Sequence, residues 1–126
     1  MGNFNKLWVF IGIYENIHIL TLTNGINAAQ TKPVEHNYCD EYAILFDGLT
    51  EVLNMFSNTE IIFFANNDLF AFEWNKECSE FGDFPSKNSK KWQIINDLVK
   101  KNNNKLLIAN EKNPLGKFRS IIKNKL

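Results

Sequence analysis

The stretch that most restricts how this chain can fold runs from Asn37 to Asp68. Its first part, Asn37–Phe56, has helical periodicity. At about 100° per residue, Tyr38, Tyr42, Leu45, Leu49, Val52, Leu53 and Phe56 fall in one apolar stripe. Asp40, Asp47, Glu51 and Asn54 fall on the opposite face, and Asn37 is the expected N-cap. Glu41 belongs to neither group: its phase puts it on the border of the packed face. The second part, Ile61–Ala65, is apolar on both faces, which suits an interior strand covered on both sides. It ends in Asn66-Asn67-Asp68.

The flanking segments complete an α/β pattern. Leu7–Tyr14 and Ile17–Thr23 alternate, with Glu15-Asn16 as a turn between them. His18 shares a strand face with Leu20 and Leu22, and is expected on a half-exposed face without catalytic duty. Asn24-Gly25 is a hairpin signal, because both residue types tolerate positive φ, and Ile26–Thr31 follows as a weaker third strand. Asp68–Asn75 fits two descriptions. It is a short helix capped by Asn66 or Asn67 with Leu69 and Phe72 inward, or a strand on which Phe70, Phe72 and Trp74 alternate. Glu77–Asn88 reads as a loop. Ser89 then caps a helix, Lys90–Lys101, that buries Trp92, Ile95, Leu98 and Val99. The triplet Asn102–Asn104 ends that helix, and Lys105–Ala109 is another apolar strand. Asn113-Pro114 opens a last helix, with proline at the first helical position.

At 126 residues the chain is expected to form one domain, residues 1–126, with a sizeable core. Its apolar runs are too short to cross a bilayer, and its N-terminus lacks a signal-peptide pattern. The expectation is a cytoplasmic or other intracellular protein, with Cys39 and Cys78 as free thiols. Neither Cys39, Cys78, His18 nor His36 has metal-ligand spacing. No glycine-rich loop is placed to cradle phosphate.

The formal net charge of zero hides a division. Residues 35–83 carry eleven acids and one Lys, whereas residues 84–126 carry eleven bases and two acids. A basic C-terminal third can meet phosphates. Equally, the two segments can face each other within the fold or in a homo-oligomer. All but one of the bases are Lys, and Asn is abundant, a bias that A/T-rich codons alone produce.

The element order β-β-β-α-β-α-α-β-α resembles the ribonuclease H-like fold, a five-stranded mixed sheet flanked by helices. In it a three-stranded antiparallel meander is joined by two parallel strands. Asn37-Tyr38-Cys39-Asp40-Glu41-Tyr42-Ala43-Ile44-Leu45 is similar to that family's first helix, and Glu41 falls on its metal-binding Glu. Asn113-Pro114-Leu115-Gly116-Lys117 is similar to the start of its last helix. The family holds two divalent cations on clustered carboxylates to activate water. Here the resemblance puts Asn66 where the strand-end Asp would stand, with Asp68 two residues late. It puts Lys117 at the last Asp, with Glu111 nearby, and leaves the first strand without an acid.

The resemblance therefore implies a catalytically inactive module that binds nucleic acid or a partner protein in a larger assembly, without cofactor. Glu41, Asn66, Asp68 and Glu111 would be the remnant centre. Lys90, Lys91, Lys100, Lys101, Lys117, Arg119 and Lys123 would be the nucleic-acid contacts. The alternatives are a divergent Mg²⁺- or Mn²⁺-dependent nuclease using Glu41 with Asp68, Glu111 or Glu15, and a small homo-oligomeric interaction protein.

Overall fold

Alternating apolar residues decide the sheet. A computed structural model describes residues 5–37, 39–74, 88–112, 116 and 120. Strands β1 (Asn5–Tyr14) and β2 (Ile17–Thr23) form an antiparallel pair, with Val9 opposite Leu22 and Ile13 opposite His18. Strands β5 (Thr59–Ala65) and β6 (Lys105–Asn110) are parallel to β1, so that Val9, Phe63 and Ile108 lie in one row. The short strands β3 (Ala28–Gln30) and β4 (Val34–Glu35) both pair with β2. The result is an open mixed sheet in the order β3-β2-β1-β5-β6, with β4 beside β2 as well.

The third strand expected at Ile26–Thr31 is shortened to Ala28–Gln30, and a further short strand, β4, follows it, so the sheet has six strands where five were expected. The cause lies in Lys32-Pro33, where proline removes a ladder donor. The hairpin loop is also longer than Asn24-Gly25 alone. It spans residues 24–27, with the Asn24 carboxamide oxygen accepting from the N–H groups of Ile26 and Asn27. Gly25 has the expected positive φ, 95°.

Helices α1 (Glu41–Met55), α2 (Asp68–Phe72) and α3 (Ser89–Lys101) flank the sheet. The main core lies on the face carrying Val9, Leu20, Ile61, Phe63 and Ile108, against Leu45, Leu49, Val52 and Leu53 of α1 and Trp92 and Ile95 of α3. The other face buries Phe10, Ile62 and Phe64, with the Phe10 and Phe64 rings stacked at 4.6 Å. Apolar burial on both faces of β5 is what its unbroken hydrophobic run requires.

Three expected helix details differ: α3 starts at Ser89 itself, with Asn88 rather than Ser89 at its N-cap position. Helix α1 starts at Glu41, because Asp40, not Asn37, is its cap: the Asp40 carboxylate accepts from the N–H groups of Tyr42 and Ala43. In α2, capped by Asn67, the inward residues are Phe70 and Ala71 rather than Leu69 and Phe72. Leu69 is 53% exposed and Phe72 49%. The expected last helix, with Lys117, Arg119 and Lys123, falls largely outside the described residues, as do Cys78 and most of the 77–88 loop.

The asparagines after α3 clasp the α1–β5 turn. Asn102 Nδ2 donates to the Leu53 carbonyl at 2.7 Å, and Asn103 Nδ2 donates to Asn58 Oδ1 at 2.6 Å. Asn104 is buried; its carboxamide accepts from Thr59 N at 3.0 Å and donates to the Phe56 carbonyl at 2.9 Å. Asn58 and Asn103 both have positive φ, which asparagine tolerates better than most side chains.

Candidate functional site

The parallel strands β5 and β6 end together, and their last residues bring polar side chains to one end of the sheet. Ala65 pairs with Asn110, and the Glu111 N–H donates to the Ala65 carbonyl at 3.1 Å. Asn110 Nδ2 donates to Asp68 Oδ1 at the start of α2. Asn66, Asp68 and Asn110 are exposed, and Glu111 is half-buried. Three of the residues singled out from sequence, Asn66, Asp68 and Glu111, therefore share one neighbourhood.

Glu41 is placed differently from its expected position beside the apolar stripe. It is the first residue of α1 and exposed, not at the margin of the packed face. Its neighbour Tyr42 turns inward instead, against Phe46 and Phe70. Glu15 sits in the β1–β2 turn with φ 59° and is exposed. Among the described residues, no three His, Cys, Asp or Glu side chains are grouped so as to hold a metal ion.

The basic candidates within α3 all reach solvent. Lys90, Lys91, Lys100 and Lys101 are exposed, with Lys91 Nζ over the Phe46 ring at 5.5 Å. The ion pairs among the described residues are Lys6–Glu60, His18–Glu51 and His36–Asp47. None of them joins the acidic segment 35–83 to a lysine of α3.

The chain matches no family model, no curated protein and no solved structure.

Two arrangements escaped the sequence reading. The first is a chain of four ionisable side chains, Glu51–His18–His36–Asp47. His18 Nε2 meets Glu51 Oε1 at 2.8 Å, His18 Nδ1 meets His36 Nε2 at 2.7 Å, and His36 Nδ1 meets Asp47 Oδ2 at 3.4 Å. His18 is only 1% exposed, not half-exposed as expected. The signal was present in its shared strand face with Leu20 and Leu22. A histidine pointed at a core needs a polar partner from whatever packs there. The helix acid that approaches the sheet is accordingly Glu51, which the helical phase had assigned to the outer face.

The second arrangement is the Glu73 carboxyl group, 6% exposed just beyond α2. One of its oxygens accepts from both the Tyr42 hydroxyl and the Trp92 indole N–H. The rings of Tyr42, Phe46, Phe70 and Trp92 interlock beside it. At the opposite end of the sheet, a groove of about 870 Å³ is lined by Lys6, Trp8, Asn24, Asn27, Phe56 and Thr59.

Proposed function

We propose that this chain is a ribonuclease H-like module that binds nucleic acid without cutting it. The observation that carries the reading is the chemistry of the strand ends. Asn66 and Asn110 present amides there, and the one nearby aspartate, Asp68, accepts from Asn110. The ten residues of β1 contain no acid. Two-metal hydrolysis needs several carboxylates held around cations at oxygen–metal distances of about 2.0–2.6 Å. An antiparallel meander flanked by two parallel strands supports the fold assignment.

The exposed lysines of α3 support nucleic acid as the ligand, since no ion pair among the described residues ties them to the acidic segment. Phosphate contacts release counterions, so affinity falls steeply with salt. Fluorescence anisotropy with a labelled RNA–DNA hybrid should show a strong fall in affinity between about 50 and 200 mM salt. Replacing Lys90, Lys91, Lys100 and Lys101 by Gln should flatten the log–log salt slope by about one per lysine that meets a phosphate. No binding at low salt, or an unchanged slope in the variant, would count against this reading.

A second reading, a protein partner in a larger assembly, rests on the exposed apolar side chains Leu69, Phe72 and Ile94. It predicts association that survives high salt and weakens when Leu69 and Ile94 are made polar.

A further inference from the structure

Asn24-Gly25 is the only Asn-Gly pair in the sequence. Such a pair carries its own reagent. The backbone nitrogen of the glycine can attack the side-chain Cγ of the asparagine, because no glycine Cβ hinders the approach. A new N–Cγ bond forms, the Cγ–Nδ2 bond breaks, and ammonia leaves with the proton from the glycine nitrogen. Water then opens the cyclic imide at either carbonyl. One product is aspartate, and the other is isoaspartate, whose main chain is longer by a methylene. No oxidant, metal or cofactor takes part.

The nucleophile is held. Gly25 is buried, and its N–H donates to Thr23 Oγ1 at 3.0 Å. Thr23 is 1% exposed, and its hydroxyl in turn donates to the Asn27 carbonyl at 2.8 Å. That second bond directs the hydroxyl proton to Asn27 and leaves the oxygen lone pairs to accept from Gly25. Attack requires the Gly25 nitrogen to give up its hydrogen. Here that hydrogen is engaged away from water, and a nitrogen anion formed there would be desolvated.

The electrophile is not protected. Asn24 Oδ1 accepts from the N–H groups of Ile26 at 2.9 Å and Asn27 at 2.8 Å. Two donors on that oxygen draw electron density from Cγ and favour the oxyanion that attack would create. Asn24 is also exposed, so water reaches it. The two halves of the turn thus act in opposite directions, and the Thr23 hydroxyl decides between them.

We propose that Asn24-Gly25 is a latent deamidation site that the Thr23 hydroxyl keeps closed in the folded protein. Reaction is carried by the fraction of molecules in which the Gly25 N–H has left Thr23, so its rate follows local opening of the β2–β3 loop. Deamidation replaces a neutral carboxamide by a carboxylate on the groove that Asn24 lines with Lys6 and Trp8. The isoaspartate form also lengthens the loop beside the Thr23–Ala28 pair, where β3 joins β2. This inference does not depend on the nucleic-acid reading.

Peptide mapping by mass spectrometry, during incubation at mildly alkaline pH, follows Asn24 directly. The folded chain should lose the Asn24 carboxamide at least about tenfold more slowly than the chain unfolded in urea. Thr23→Val keeps the side-chain shape and removes the hydroxyl. It should speed the folded-state reaction about five- to tenfold, the worth of roughly one buried hydrogen bond. Thr23→Ser keeps the hydroxyl and should stay close to the wild-type rate. The Thr31 N–H, which donates to the Leu20 carbonyl at 2.9 Å, reports whether β3 stays attached. Its hydrogen-exchange protection should hold in Thr23→Val. Equal rates in the folded and unfolded chains would overturn the proposal. So would a Thr23→Val rate equal to wild type, or a Thr23→Ser rate equal to that of Thr23→Val. A faster reaction accompanied by loss of Thr31 protection would do the same, since the lock would then be the strand and not the hydroxyl.

Discussion

Trp92→Ala is expected to leave the protein largely unfolded at room temperature. Trp92 has no exposed surface and is the largest fully buried side chain among the described residues. Its indole lies against Phe46 at 4.5 Å, Phe70 at 4.9 Å and Trp74 at 5.8 Å between ring centroids. Truncating a buried aromatic side chain to alanine costs about 3–5 kcal/mol, because the cavity collapses only in part. The variant also removes the indole N–H that reaches Glu73 at 2.7 Å inside the core. Depriving a buried polar group of a donor costs about 1–3 kcal/mol more. Together these approach the whole stability of a typical domain, about 5–15 kcal/mol. Trp92→Phe separates the two terms. It keeps most of the ring volume and loses the donor, so it should cost only about 1–3 kcal/mol in urea unfolding. Equal losses in the two variants would contradict the role given to the N–H.

The second large effect is expected from Asn104→Ala, about 2–4 kcal/mol, from losing a buried donor and a buried acceptor together. Asn104 is 7% exposed, and its carboxamide spans Thr59 N and the Phe56 carbonyl. Alanine would leave both backbone groups without their side-chain partner at the start of β5. Because β5 lies between β1 and β6, disturbance there reaches the centre of the sheet. Asn103→Ala, at an exposed site, should cost far less, although its φ of 54° adds some backbone strain. Chemical denaturation of both variants checks the ordering. A smaller loss at Asn104 than at Asn103 would refute it.

These asparagines show where sequence reading reaches its limit. In the sequence, Asn102–Asn104 signals a helix stop and an A/T-rich codon bias. In the structure, each of the three side chains bonds across to residues 53–59. Nothing in local periodicity reveals a partner more than forty residues away. The strands and the inward faces of α1 and α3 were legible for the opposite reason. Alternation and helical spacing are local consequences of burying one face, as at Val9 and Ile11 or at Trp92, Ile95 and Val99.

The candidate site was legible in part. Asn66, Asp68 and Glu111 do gather at one sheet end, because parallel strands that start together also end together. Glu41 and Glu51 exchange their expected surroundings. The expected helix begins at Asn37, four residues before Glu41, and packs on one stripe only. The actual helix, capped by Asp40, buries a wider arc that includes Ile44, Phe46 and Gly48. At Gly48 a side-chain Cβ would come within 2.5 Å of Ile11 Cδ1, so the helix runs close against β1 there. That close packing carries Glu51, one turn beyond Asp47, to the buried His18.

The claim that this scaffold binds nucleic acid without cutting it is tested most directly on one sample. An end-labelled RNA–DNA hybrid would be incubated at low salt with excess protein and with Mg²⁺ or Mn²⁺. The same mixture would then be resolved on native and denaturing gels. The account predicts a retarded complex on the native gel and full-length strands on the denaturing gel. Metal-dependent shortening of the labelled strand, abolished by Asp68→Asn or Glu41→Gln, would contradict it.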